Sequence, residues 1–329
     1  MKKILCILIM IFSFCRILNS QTIISQGKPV AEIFTDFHYS IDDTTKTTGF
    51  GINRAHIGYN YTPDGNFSAL IIINIGTPED LSEGSVPKRY GFFREASIAY
   101  KKDKLTVNFG MVSTRYADFQ QAFWGKRYLA PEYQAAYGYG SVADIGIVAD
   151  YRLSDLLKFD LSLLNGKGYT NVQVDNSLKT AFGLTITTSN NIYIRLYGDL
   201  MKTQDVLQNT LIGFAGIKNS IFSIGVEYSH KTNLDLLKRH DVWGLSSTGS
   251  IFLNKKTEIF VRYDYAASVK APDEDLQWDY TKDAACFIGG IQRTFNNNFQ
   301  IALNYRRTNP YDPAKKTSNA IYVNAHFKL

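Results

Sequence analysis

Five histidines could do acid–base or metal chemistry in this chain: His38, His56, His230, His240 and His326. His230 and His240 flank one segment that also holds Asp235 and Asp241, residue types that hydrolases use to move protons. His38 and His56 are expected to be neighbours with Asp36 on the same side, a set that would hold a metal only if three ligands converged. Solvated polar side chains are the simpler reading of both groups. No HExxH, GxSxG or CxxC motif accompanies them, so neither an enzyme nor a cofactor is expected.

The other ionisable residues are organised differently. In TEIFVRYDYA, residues 257–266, Glu258, Arg262 and Asp264 alternate with Ile259, Val261, Tyr263 and Tyr265. A helix would scatter the apolar residues around its axis, whereas a strand sends alternate side chains to opposite faces. Phe260 is the only large apolar residue on the charged side.

The elements that carry these charges recur along the whole chain. Sixteen alternating segments lie near 30–41, 50–61, 66–76, 91–101, 104–113, 142–152, 156–164 and 179–188, then 191–200, 209–217, 221–231, 241–253, 256–266, 284–294, 298–307 and 319–329. Each is about the ten residues that a tilted strand needs to cross a bilayer. Links after even-numbered strands are tight, as in TPDG (62–65), KDK (102–104) and SNN (189–191), with turn-forming Gly, Asn, Asp and Ser. Links after odd-numbered strands are mostly longer. Sorting by parity means that the two ends of the strands face different environments, and a soluble sandwich has no reason to keep that order. The expected fold is an all-β transmembrane antiparallel barrel of about sixteen strands, in the bacterial outer membrane, in contact with its lipid.

Address and composition agree. Residues 1–20, with Lys2 and Lys3 before an apolar run, are expected to be a signal peptide, leaving 21–329 as the barrel. Its removal takes away three cations and no anion, so a formal charge of +6 becomes +3, too mild for nucleic acid. Cys286 alone remains of three cysteines, so the mature chain has no internal disulfide. The longest apolar run after the leader, ALIIINI at 69–75, is seven residues, far short of a spanning helix. Tyr59, Tyr61, Tyr100, Tyr151, Tyr263, Tyr265 and Tyr305 sit near strand ends on the apolar face, suited to interfacial girdles.

Parity sends a wet, ionised set inward: Arg54, His56, Asp144, Asp150, Arg152, Lys158, Asp160, Arg195, Asp199, Glu227, Glu258, Arg262, Asp264 and Arg306. Sixteen strands leave an aqueous channel, and water is the simplest filling for such a lining. Residues 114–140, TRYADFQQAFWGKRYLAPEYQAAYGYG, form a long irregular loop carrying Arg115, Asp118, Lys126, Arg127 and Glu132. It is expected to fold inward and form a constriction whose charges set the local field. An extracellular lid or a contact between protomers is the alternative.

VNFGM, FWGKRY, SVADIGIVADY, NGKGY and FVRYDY occur in that order. On these motifs the chain resembles the Bacteroidetes-type porins grouped with the phosphate-selective porins O and P. The resemblance implies a homotrimeric outer-membrane channel of sixteen strands whose third external loop enters the lumen. Passive diffusion of small hydrophilic solutes or ions is then the expected activity, with an anion or phosphate preference left open because basic and acidic residues mix in the lining. A sugar or nutrient channel, or a non-conducting structural or adhesive barrel, are the competing readings.

Overall fold

The computed structural model describes residues 26–42, 48–63, 65–75, 91–203 and 205–329; the expected signal peptide lies outside them. Period-two alternation drives sixteen strands. The first four are β1 (Gln26–Ser40), β2 (Thr48–Thr62), β3 (Phe67–Ile75) and β4 (Gly91–Lys102). Next come β5 (Leu105–Ser113), β6 (Ala143–Arg152), β7 (Leu157–Leu164) and β8 (Lys179–Thr187). They continue as β9 (Ile192–Lys202), β10 (Leu207–Lys218), β11 (Phe222–Thr232) and β12 (Val242–Asn254). The last are β13 (Thr257–Ser268), β14 (Ala284–Asn296), β15 (Phe299–Pro310) and β16 (Ser318–Lys328). Between β5 and β6 lie two helices, α1 (Arg115–Trp124) and α2 (Tyr133–Ala136).

Every strand pairs antiparallel with its sequence neighbours, and β1 pairs with β16 from Glu32 opposite Lys328 to Ser40 opposite Ala320. The sheet is therefore closed, which leaves no unpaired edge in lipid. On β13, Ile259, Val261 and Tyr263 are exposed while Phe260, Arg262 and Asp264 are buried. The same division runs round the barrel, with Ile98, Phe109 and Leu161 each more than half exposed. An outer apolar belt of this kind is stable only against hydrocarbon.

Two features depart from simple alternation. The β9–β10 link shrinks to residues 203–206, because both strands run further than their hydrophobic pattern, and so it is as short as those at the opposite end. Register also shifts between Phe34 and Thr35 on β1 and between Ile72 and Ile73 on β3, leaving Asn53 and Arg94 unpaired on the facing strands. These β-bulges re-aim the side chains beside them. Counting back from exposed Ile98, strict parity would put Arg94 in lipid; instead Phe93 is exposed and Arg94 is buried.

Candidate pore constriction

The segment between β5 and β6 is not the irregular loop expected from its length. Tyr116, Gln120, Phe123 and Trp124 share one buried side of α1, the spacing that lets a helix dock on a surface. Gly125, in the left-handed region at φ 69, ends α1 and returns its N–H to the Gln121 carbonyl. The chain then turns through Lys126 to Glu132 before α2.

This segment is fastened to lumen-side positions of many strands. Phe123 packs edge-to-face on Phe214 of β10, with centroids 4.7 Å apart. Inward glycines make its slot: a Cβ on Gly216 or Gly225 would fall 2.6 or 2.5 Å from its ring. Trp124 lies against Phe260, which explains the lone apolar residue on the charged face of β13. Lys126 Nζ donates to Glu258 Oε2 at 2.8 Å and to Ser250 Oγ at 3.0 Å. Tyr128 donates to Gln292 Oε1 at 2.7 Å, and Gln292 Nε2 in turn to Glu258 Oε1. Arg262 donates to the Pro131 carbonyl and Gln134 to Glu227. Near the start of the segment, Arg115 Nε donates to Asp150 Oδ2 at 2.9 Å, and both Arg115 and Ser113 donate to Asp118.

Much of the expected lining is thus mutually compensated. Arg195 donates to both oxygens of Asp160, at 2.7 and 3.0 Å, and Arg262 Nε to both oxygens of Asp264. Asp144 accepts backbone N–H groups from Ile145 and Gly166, and Asp199 accepts from Tyr197. Of the five segment charges, Lys126 and Glu132 are buried in the packing, whereas Arg115, Asp118 and Arg127 line cavities. Burial pushes the Glu132 carboxyl above its ordinary range, against the pull of Arg127.

Three guanidiniums are different. Arg54 has Glu32 Oε2 at 3.6 Å, Arg94 has Glu95 Oε2 at 3.9 Å, and Arg127 Nε has Glu132 Oε2 at 3.5 Å. All three distances exceed a good charge-assisted hydrogen bond. Arg94 Nε and NH1 and Arg127 Nε are buried without a hydrogen-bond partner among the described residues. Arg94 and Arg127 also lie within electrostatic range of Arg54. A cluster from β2, β4 and the segment therefore holds three guanidiniums only loosely paired, each with one glutamate at 3.5–3.9 Å. Arg127 borders two cavities: one of about 410 Å³ towards Arg54 and Arg306, and one of about 620 Å³ towards Tyr139, Lys179 and Lys231. Arg115, Asp118, Asp150, Lys158 and Arg195 line a third, of about 740 Å³.

Arg94 was absent from the lumen expected by parity. The signal for it was the conflict itself: an arginine assigned to lipid costs about 2–4 kcal/mol at the bilayer midplane, and a bulge removes that cost. The histidine reading needs correction as well. His38 stands opposite Gly49 and His56 opposite Glu32, so register separates them, and His38 instead bonds Asp36 at 2.9 Å. Among the described residues no group of His, Cys, Asp and Glu could hold a metal ion. His240 stacks on Trp278 at 4.0 Å, and Asp241 accepts the Asn233 N–H.

Solved structures match this architecture. OmpF of Salmonella typhi, in complex with daunomycin, superposes with a TM-score of 0.70 at 12% identity, over 92% of this chain and 97% of that one. A loop L8 deletion mutant of OmpT, an outer-membrane protein of Vibrio cholerae, gives 0.65 at 14% identity, over 93% and 99%. The fold is that of an outer-membrane barrel. With its apolar belt, that fold places the protein in a bacterial outer membrane. No protein-family model matches the chain and no curated protein matches it in sequence, so the resemblance to porins O and P has no support from these comparisons.

Proposed function

We propose that the barrel is a passive diffusion channel for small hydrophilic solutes and ions, narrowed by residues 114–141 and biased towards anions. Residues 1–20 are the leader, tight turns face the periplasm, long links face outside, and three copies assemble. The observation that carries the channel reading is the contrast within the lumen. The segment is pinned by hydrogen bonds to β6 and β11–β14, while Arg54, Arg94 and Arg127 are only loosely paired, at 3.5–3.9 Å, where the segment faces β2 and β4. Clustered cations at a low-dielectric constriction concentrate anions and repel cations within about a Debye length, roughly 8 Å in physiological salt.

The test is the reversal potential of the purified protein in a planar bilayer under a salt gradient. Anion preference is expected in the wild type, with a shift towards cations in Arg94→Gln. Absence of ohmic steps refutes the channel, and cation preference in the wild type refutes the role of the cluster.

A further inference from the structure

We propose that the cavity enclosed by the 114–141 segment, β1, β2, β15 and β16 is a binding site for planar aromatic carboxylates. The proposal rests on the channel reading, since solute reaches this cavity through the lumen.

Three guanidiniums and four rings line the cavity: Arg54, Arg127 and Arg306 with Phe34, Tyr128, Tyr322 and the His38 imidazole, which stacks on Tyr322. Its volume of about 410 Å³ lies within the roughly 300–1,000 Å³ of small-molecule pockets. Two guanidiniums are already held over aromatic faces, Arg306 at 3.8 Å from the Tyr322 centroid and Arg54 at 4.8 Å from that of Phe34. Ring backing fixes the orientation of each fork, so less side-chain entropy is lost when an anion binds. Arg306 spends its hydrogen bonds on neutral amides, Asn304 Oδ1 at 2.8 Å and Asn324 Oδ1 at 3.1 Å. Among the described residues no carboxylate hydrogen-bonds it, and Asp36 acts on it only at longer range. The one carboxylate on the cavity wall, Asp36, is held by Asn53 at 2.5 Å and His38 at 2.9 Å and keeps its charge, so the wall carries three guanidiniums against one carboxylate.

This wall selects by two criteria together. Its guanidiniums supply several donors in fixed forks, which suits an acceptor-only carboxylate. Its remaining surface is aromatic and guanidinium π-face, which a planar ring covers and a small inorganic anion leaves bare. A conjugated carboxylate uses both: the acid meets one fork while the ring stacks on another.

Binding is measured on detergent-solubilised protein by isothermal titration calorimetry with benzoate, cyclohexanecarboxylate, acetate and phosphate, and in parallel as block of single-channel current. Benzoate is expected to bind about 2- to 10-fold more tightly than cyclohexanecarboxylate, the factor that ring–guanidinium stacking supplies. Tyr322→Leu and Arg306→Gln should each erase that ratio. Equal affinity for the two ring acids, or phosphate binding as tightly as benzoate, overturns the proposal. Benzoate binding by calorimetry without any conductance would sustain the site and defeat the channel reading instead.

Discussion

Replacing Lys126 by Met should loosen the 114–141 segment without unfolding the barrel. The Lys126 and Glu258 side chains are only 5% and 13% exposed, and Nζ sits 2.8 Å from the carboxylate. Methionine keeps an apolar stem of similar length, so the loss is confined to the ammonium, which bonds Glu258 and Ser250 and lies 5.0 and 5.4 Å from the Trp124 and Phe260 ring centroids. Glu258 would keep one donor, Gln292 Nε2 at 2.7 Å. Breaking a fully buried pair from one side costs about 3–5 kcal/mol; the surviving donor and the residual exposure of Glu258 bring the expectation to about 2–3 kcal/mol. That raises the undocked population of this stretch roughly 30- to 150-fold. Phe123, Tyr128 and Tyr133 still hold neighbouring turns, so displacement should be local. Single-channel recording reads it as added open-channel noise and a higher mean conductance, and urea titration of the folded barrel provides the stability control. Adding Glu258→Gln removes the stranded charge and should restore quiet current. The reasoning is refuted if Lys126→Met conducts as quietly as wild type, or if the double variant is noisier than the single one.

Two further outcomes follow from the same packing. Gly225→Val places a side chain where Phe123 already lies; overpacking of this kind costs about 1–3 kcal/mol, read as a lower urea midpoint that Phe123→Ala added to Gly225→Val partly restores. Because burial raises the Glu132 carboxyl, it takes up a proton on acidification before an ordinary glutamate does, leaving Arg127 less compensated. Anion preference in reversal-potential measurements should therefore grow as pH falls. Glu132→Gln should hold the anion preference from neutral pH downwards, and a wild-type preference that fails to change with pH counts against this role.

Particular residues show how far sequence reasoning reached into the site. Arg262 and Asp264 could be assigned to one face of β13 because each needs only its parity, a local property. Their mutual ion pair is nearly as local, two residues apart on one strand. Lys126 and Glu258 are 132 positions apart, and nothing in either neighbourhood names the other. α1 was missed because the face it buries carries aromatic residues matched to Phe214, Phe260 and the slot at Gly216 and Gly225, partners that lie far away in sequence. Phe260 and the inward glycines were the visible traces of that docking, each an anomaly on an otherwise polar inner face.

What the sequence by itself determined is the closed, two-faced barrel. Side-chain direction in a strand alternates with every residue, so sixteen alternating stretches separated by links that sort by parity already specify lipid side, lumen side and strand count. What only the tertiary structure decided is which charges are tightly paired and which only loosely. Ion pairing depends on distances between strands remote in sequence and on single-residue bulges that invert parity, as at Arg94. The tight pairing of Arg195 and Arg262, at 2.7 and 2.8 Å, against the looser 3.9 and 3.5 Å of Arg94 and Arg127, arises from that three-dimensional register, because Coulomb energy follows separation in space and not in sequence.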